Sequence, residues 1–226
     1  MNKKTNKLYP GDIIIKGNPS IMNHLMIVTS EYTEISKNLN IETTKKRTNK
    51  DDIPVQIYKL AHIQGNRGAI YENLLISKTK YNMKKFHVLR YKGDNSKKII
   101  KFVCNIIKKW IDMKKLKYRM IDLEKIKNCY SKISTDRLNK YNLALEQNDV
   151  PQIKMNCIEF VIIPWIMGFG LEKFGKNIKL NQEKINQYIP INPHRCSTIG
   201  VYKLSKKLPN YWEKFVIEDS AILFDI

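Results

Sequence analysis

From Phe160 to Leu171 the chain runs FVIIPWIMGFGL, twelve residues without a charge. Such a run has to leave water, and it is too short to span a bilayer, which takes about 20 apolar residues. The rest of the chain must therefore cover it, and core packing is the reading we favour. Asn156, just ahead of the run, is a good helix N-cap and places Cys157 in the first helical turn. Pro164 predicts that this helix ends or kinks there. The competing reading makes Trp165, Ile166, Met167 and Phe169 a Pro-kinked apolar tip that dips into lipid headgroups.

What could cover the run lies mostly upstream. Pro10-Gly11-Asp12 is a turn, and Ile13-Ile14-Ile15 reads as a short buried strand. His24 to Thr29 reads as a second strand. Val55 to Ile63 alternates, Gly65-Asn66-Arg67-Gly68 turns, and Ala69 to Glu72 returns as the second arm of a hairpin. Phe86 to Tyr91 is another strand. From Asn95 the spacing becomes helical, with apolar residues at 99, 100, 103, 106, 107, 110 and 111 and a cap from Asn95 or Ser96. Residues 120–155 look weakly organised, with short helical pieces and a turn at Asn148 to Pro151. Later come a helix near 181–187, a turn at Asn192-Pro193, and strands near 212–217 and 220–225. Strands first and helices later predict an α+β fold. At 226 residues, 42% of them apolar, the chain is long enough for one domain, 1–226, to hold its own core, with insertions at about 37–52 and 120–155.

Charge adds less than its size suggests. The net charge is +20, but of 41 basic residues only six are arginines. Arginine is the residue suited to bidentate phosphate and base readout, so no specific nucleic-acid partner is expected. Residues 92–119 hold ten basic and two acidic side chains, which reads as the solvated face of the amphipathic helix or as a patch for an anionic membrane surface. No apolar stretch follows the first lysines as a signal peptide would require, which predicts a cytoplasmic location, the host cytoplasm for a viral protein.

The cysteines stand at 104, 129, 157 and 196, with no CxxC pair. That spacing predicts free thiols in a reducing compartment, neither a metal site nor a disulfide framework. A cysteine at a helix N-terminus has a lowered pKa, because the unpaired N–H groups favour the thiolate. A histidine nearby can then shuttle the proton, and a further polar group can orient it. Cys157 is so placed, and His24 and His62 sit on strands. Cys104, in mid-helix, reads as a core residue, and His87 and His194 as structural or surface residues.

The islands PGDIII, NHLMIVTSEY, VQIYKLAHIQG, AIYENLL, FHVLRY and NCIEFV together resemble the permuted NlpC/P60 superfamily, papain-like folds in which the histidine strands precede the cysteine helix. The likeness is to its YiiX-like and poxvirus-type members, related to the lecithin:retinol acyltransferase group. It implies an antiparallel sheet packed against the helix that carries the nucleophile. Residue by residue, Gly11-Asp12 matches the entry strand, His24 the general base, His62 the orienting residue and Cys157 the nucleophile. Asn156, Glu159 and Phe160 match the residues around that cysteine, and Asn192-Pro193 a late turn. The implied function is thiol-dependent acyl hydrolysis or transfer without a cofactor or metal, foremost as a cysteine amidase or peptidase. The alternatives are a lipid acyl hydrolase or acyltransferase at a membrane surface, and a non-catalytic module that binds a ligand or partner. The corresponding substrates are a peptide, an amide or a lipid ester.

Overall fold

The computed structural model describes residues 7–17, 23–30, 33–34, 56–77, 85–121, 123–126, 128–175, 182–217 and 220–225. The insertion expected at 37–52 lies outside them. The fold is α+β. Its strands are β1 (Ile13–Lys16), β2 (Leu25–Val28), β3 (Thr33–Glu34), β4 (Gln56–Gln64), β5 (Gly68–Ser77), β6 (Phe86–Tyr91), β7 (Trp212–Ile217) and β8 (Ser220–Asp225). Its helices are α1 (Ser96–Asp112), α2 (Thr135–Glu146), α3 (Cys157–Phe174), α4 (Gln182–Asn186), α5 (Thr198–Tyr202) and α6 (Leu204–Lys207).

The strands form one antiparallel sheet in the order β7-β6-β1-β2-β4-β5-β8, with β3 beside β4. β7 and β8 lie at opposite ends of this order, yet β7 ends at Ile217 and β8 begins at Ser220. Three residue steps reach about 11 Å at most, so the sheet curls until its edges approach. The curl encloses a core of Leu8, Ile14, Met26, Val28, Tyr58, Leu60, Leu74, Ile76, Phe86, Val88 and Ile217. The alternate residues, Ile13, Ile15, Leu25, Ile27, Ala61, Ile63 and Leu89, face outward into a second core shared with the helices.

α3 is the centre of that second core, and every residue from Cys157 to Gly170 is buried. The helix does not end at Pro164 but continues through it to Phe174. An internal proline costs about 3 kcal/mol. Burying Trp165, Ile166 and Phe169, each completely covered, returns about 1.5–3 kcal/mol per side chain, which outweighs it. The same burial removes 165–169 as a lipid-inserting tip. α1 lies against α3 through Ile99, Val103, Ile107 and Trp110. Their close approach depends on Gly168, where a Cβ would stand 2.8 Å from Val103 Cγ2. Asn95 is the N-cap of α1, but it adopts a left-handed conformation and makes no side-chain capping bond.

Residues 120–155 are better organised than their sequence predicts. They contain α2, which buries Tyr141, Asn142 and Ala144 and packs on α3. The thiol expectation also needs correction: Cys129 and Cys196 form a disulfide, and Cys104 and Cys157 are free. A separation of 67 residues leaves no local signature. The pair is assembled by tertiary contacts, with Asn192 N donating to Cys129 O at 2.7 Å and the sulfurs seated on Gly200, where no Cβ would fit.

One buried ion pair fastens the N-terminal turn to the sheet. Arg90 donates from Nε to Asp12 Oδ1 at 2.8 Å and from Nη2 to Oδ2 at 2.7 Å. Tyr9 N donates to the same carboxylate at 2.8 Å. Asp12 is 1% exposed, while Arg90 is part-exposed and also donates to Lys7 O, so Asp12→Ala should cost roughly 1.5–3 kcal/mol through the lost charge-assisted hydrogen bonds, measured by denaturant unfolding. Replacing both Cys129 and Cys196 by serine should cost about 2–4 kcal/mol through the freed loop. Reductant should lower the wild-type unfolding midpoint and leave that of the double variant unchanged.

Candidate active site

The first turn of α3 is fixed by a capping box. Asn156 Oδ1 accepts from Ile158 N and Glu159 N, both at 2.9 Å, and Glu159 Oε2 accepts from Asn156 N at 2.8 Å. This leaves Cys157 in the first turn, as its sequence context predicts, and 4% exposed. Burial pushes its thiol pKa up, while the N–H groups of Leu25, Cys157 and Ile158 pull it down, without cancelling the burial. Leu25 is available because the β2–β4 register covers only Ile27 and Val28.

The structure brings His24 and His62 together. His24 Nε2 lies 2.6 Å from His62 Nδ1, with the rings edge to face. His62 Nε2 in turn lies 3.1 Å from Glu72 Oε2, and Arg67 approaches the other oxygen of that carboxylate at 3.6 Å. Two ring nitrogens at 2.6 Å share one proton, so both rings cannot be imidazolium in this arrangement. Burial, and then Lys16, lower the pKa of His24 to about 4.

Cys157 belongs to a different surface of the sheet. His62 stands opposite Ile70 and Glu72 opposite Leu60, which places both on the face that carries Leu60 and Leu74. Cys157 packs with Leu25, Ala61 and Ile63 on the other face. No hydrogen bond between Cys157 Sγ and His24 is among those made by the described residues. Among the amides that pull the thiol pKa down is that of Leu25, the residue that follows His24.

Two features were not read from the sequence. Glu72 is a diagonal neighbour of His62 across the hairpin, and the β4–β5 alternation could have found it. The other is a cluster on Glu159, a carboxylate with no exposure. Arg119 donates to it from Nε at 3.0 Å and from Nη2. His194 Nδ1 makes a short contact with Oε1, and Arg137 approaches the same oxygen at 3.8 Å. Tyr141 Oη lies 2.7 Å from His194 Nε2. Burial pushes the Glu159 carboxyl up, but His194 and Arg119 outweigh it and hold it below its ordinary range. Burial keeps His194 below the usual histidine value, against the pull of Glu159. His87 is buried beside Tyr202, with Nδ1 to Oη at 3.2 Å. Among the described residues, no three His, Cys, Asp or Glu side chains are grouped to hold a metal, and no helix is long and apolar enough to cross a membrane.

No family model matches the chain, and no curated protein or solved structure resembles it significantly.

The depressed His24 pKa has a consequence for stability. Between pH 6.5 and about 4 the unfolded chain binds a proton at this position that the folded chain does not. The stabilisation is therefore complete above pH 6.5 and is lost as pH falls towards 4. Wild type should lose roughly 2–3 kcal/mol more than His24→Gln between pH 7 and pH 4.5, measured by chemical denaturation at both values.

Proposed function

We propose that the protein is a thiol-dependent acyl hydrolase of permuted NlpC/P60 type, with Cys157 as nucleophile, His24 as general base and His62 as orienting group. Amide or peptide chemistry is the reading we place first. The observation that carries it is the seat of Cys157 in the capped first turn of α3, where the helix N-terminus favours the thiolate. In an acyl transfer the thiolate attacks the carbonyl carbon, and amides aimed at the developing oxyanion lower the barrier. The imidazolium formed when His24 takes the thiol proton then protonates the leaving amine, and water resolves the thioester. Working this way requires the His24 ring to reach Sγ rather than His62. The structure has the ring turned to His62, with Lys16 N donating to the His24 carbonyl at 3.3 Å, so the mechanism needs the segment before β2 to rearrange.

Amide chemistry ranks above lipid ester chemistry because the apolar run is internal. Trp165, Ile166, Met167 and Phe169 are at most 1% exposed and provide no element to enter a bilayer. A second reading, the ligand-binding module without catalysis, draws on the buried thiol, its raised pKa and the lack of a bond to His24.

An acyl-thioester probe and iodoacetamide, with labelled cysteines mapped by peptide mass spectrometry, separate the two. The expected result is an acyl adduct on Cys157 and faster alkylation there than at Cys104, which lies in mid-α1 away from any helix N-terminus. His24→Ala should slow acylation by about 10²-fold or more. Absence of an adduct, with equal alkylation of both thiols, would favour the binding module.

A further inference from the structure

The Glu159 cluster opens on a cavity of about 390 Å³, whose walls include Arg119, Arg137, Lys140, Lys154, Ser134 and Asp136. Volumes of this order suit small ligands. Four cations meet one acidic wall residue here, and the single carboxylate behind them, Glu159, is already engaged by Arg119 and His194. The balance of these groups is two positive charges in a concave site. Only six arginines occur in the chain, and two of them line this cavity. Arg119 gives Nε and Nη2 to Glu159, and Arg137 Nη1 contacts His194, so each guanidinium meets a ligand with its remaining donors, and the ammonium groups add point charges. The Ser134 hydroxyl caps no backbone amide of α2 and is available to a ligand oxygen.

Arg119 N donates to Met155 O and Met155 N to Lys117 O, both at 2.9 Å, which holds Arg119 beside the start of α3.

We propose that this cavity binds a phosphate group, held by Arg119, Arg137, Lys140 and Lys154. The binding is independent of the thiol mechanism. A phosphate monoester in solution and a lipid headgroup present the same chemistry to the cavity.

The test uses the full chain, Lys140→Gln/Lys154→Gln, and a control of equal charge, Lys97→Gln/Lys101→Gln, on the exposed face of α1. All four side chains are solvent-exposed, so folding is preserved. Inorganic phosphate is titrated calorimetrically at constant ionic strength. The expected result is saturable binding by wild type and control, weakened at least tenfold in the cavity variant. Absence of saturable binding, or an equal loss in both variants, overturns the proposal. Co-sedimentation with phosphatidic acid vesicles against phosphatidylcholine vesicles then identifies the source. Cavity-dependent sedimentation that free phosphate competes away supports a headgroup, and phosphate binding without it supports a soluble ester. Cys157→Ser should bind phosphate like wild type, so a failed acyl-labelling experiment and a failed phosphate titration are separate results.

Discussion

The fold turns on the burial of a helix that has no wet face. A helix that is apolar all round must be covered on every side, and α3 is buried from Cys157 to Gly170. The outer face of the curled sheet covers one side, and α1, with Gly168 at the contact, covers another. α2 and the residues around Ile185, Ile189, Val201 and Trp212 close the rest. This division explains why the sheet has two apolar faces. One fills the curl and the other receives the helix, so β1 is buried on both faces over Ile13, Ile14 and Ile15.

A buried helix still has unpaired amides at its N-terminus. The capping box satisfies some of them, but it brings Glu159 fully out of water. A buried carboxylate must be paired, and the partners come from three distant stretches: Arg119, Arg137 and His194. Residues 120–155, which look like an insertion in sequence, thus carry part of the ionic lining of the α3 N-terminus. The Cys129–Cys196 bridge ties the segment before α2 to the one that carries His194. These contacts position Cys157 without touching its sulfur.

Legibility in the sequence followed the range of the interaction. β4, the turn after it and β5 were readable because alternation and a glycine-bounded turn are local signals. The bounds of β7 and β8 were read as 212–217 and 220–225, where the structure has Trp212–Ile217 and Ser220–Asp225. α1 was visible in its 3.6-residue spacing, and the α3 cap in Asn156. The path of α3 through Pro164 was not readable, because it depends on how much of Trp165 and Phe169 the fold covers. The disulfide, the Glu159 cluster and the length of α2 are not legible for the same reason: each is stabilised by partners tens of residues away. Tyr141, for example, has its hydroxyl satisfied by His194, a pairing that no local window contains.

The three residues singled out for chemistry show how strand geometry limits that reading. Side chains alternate along a strand, so His62 is committed by the long β4–β5 register to the inner face, together with Glu72. Cys157 is committed to the outer face by the cap that starts α3. His24 lies one residue before β2, and the β1–β2 ladder still includes it, because Lys16 N donates to its carbonyl at 3.3 Å. Alternation then gives it the face of Met26, two residues on, and its ring meets His62 there at 2.6 Å. Sequence spacing finds the elements that carry the three residues, but the parity of each position along its strand decides which of them meet.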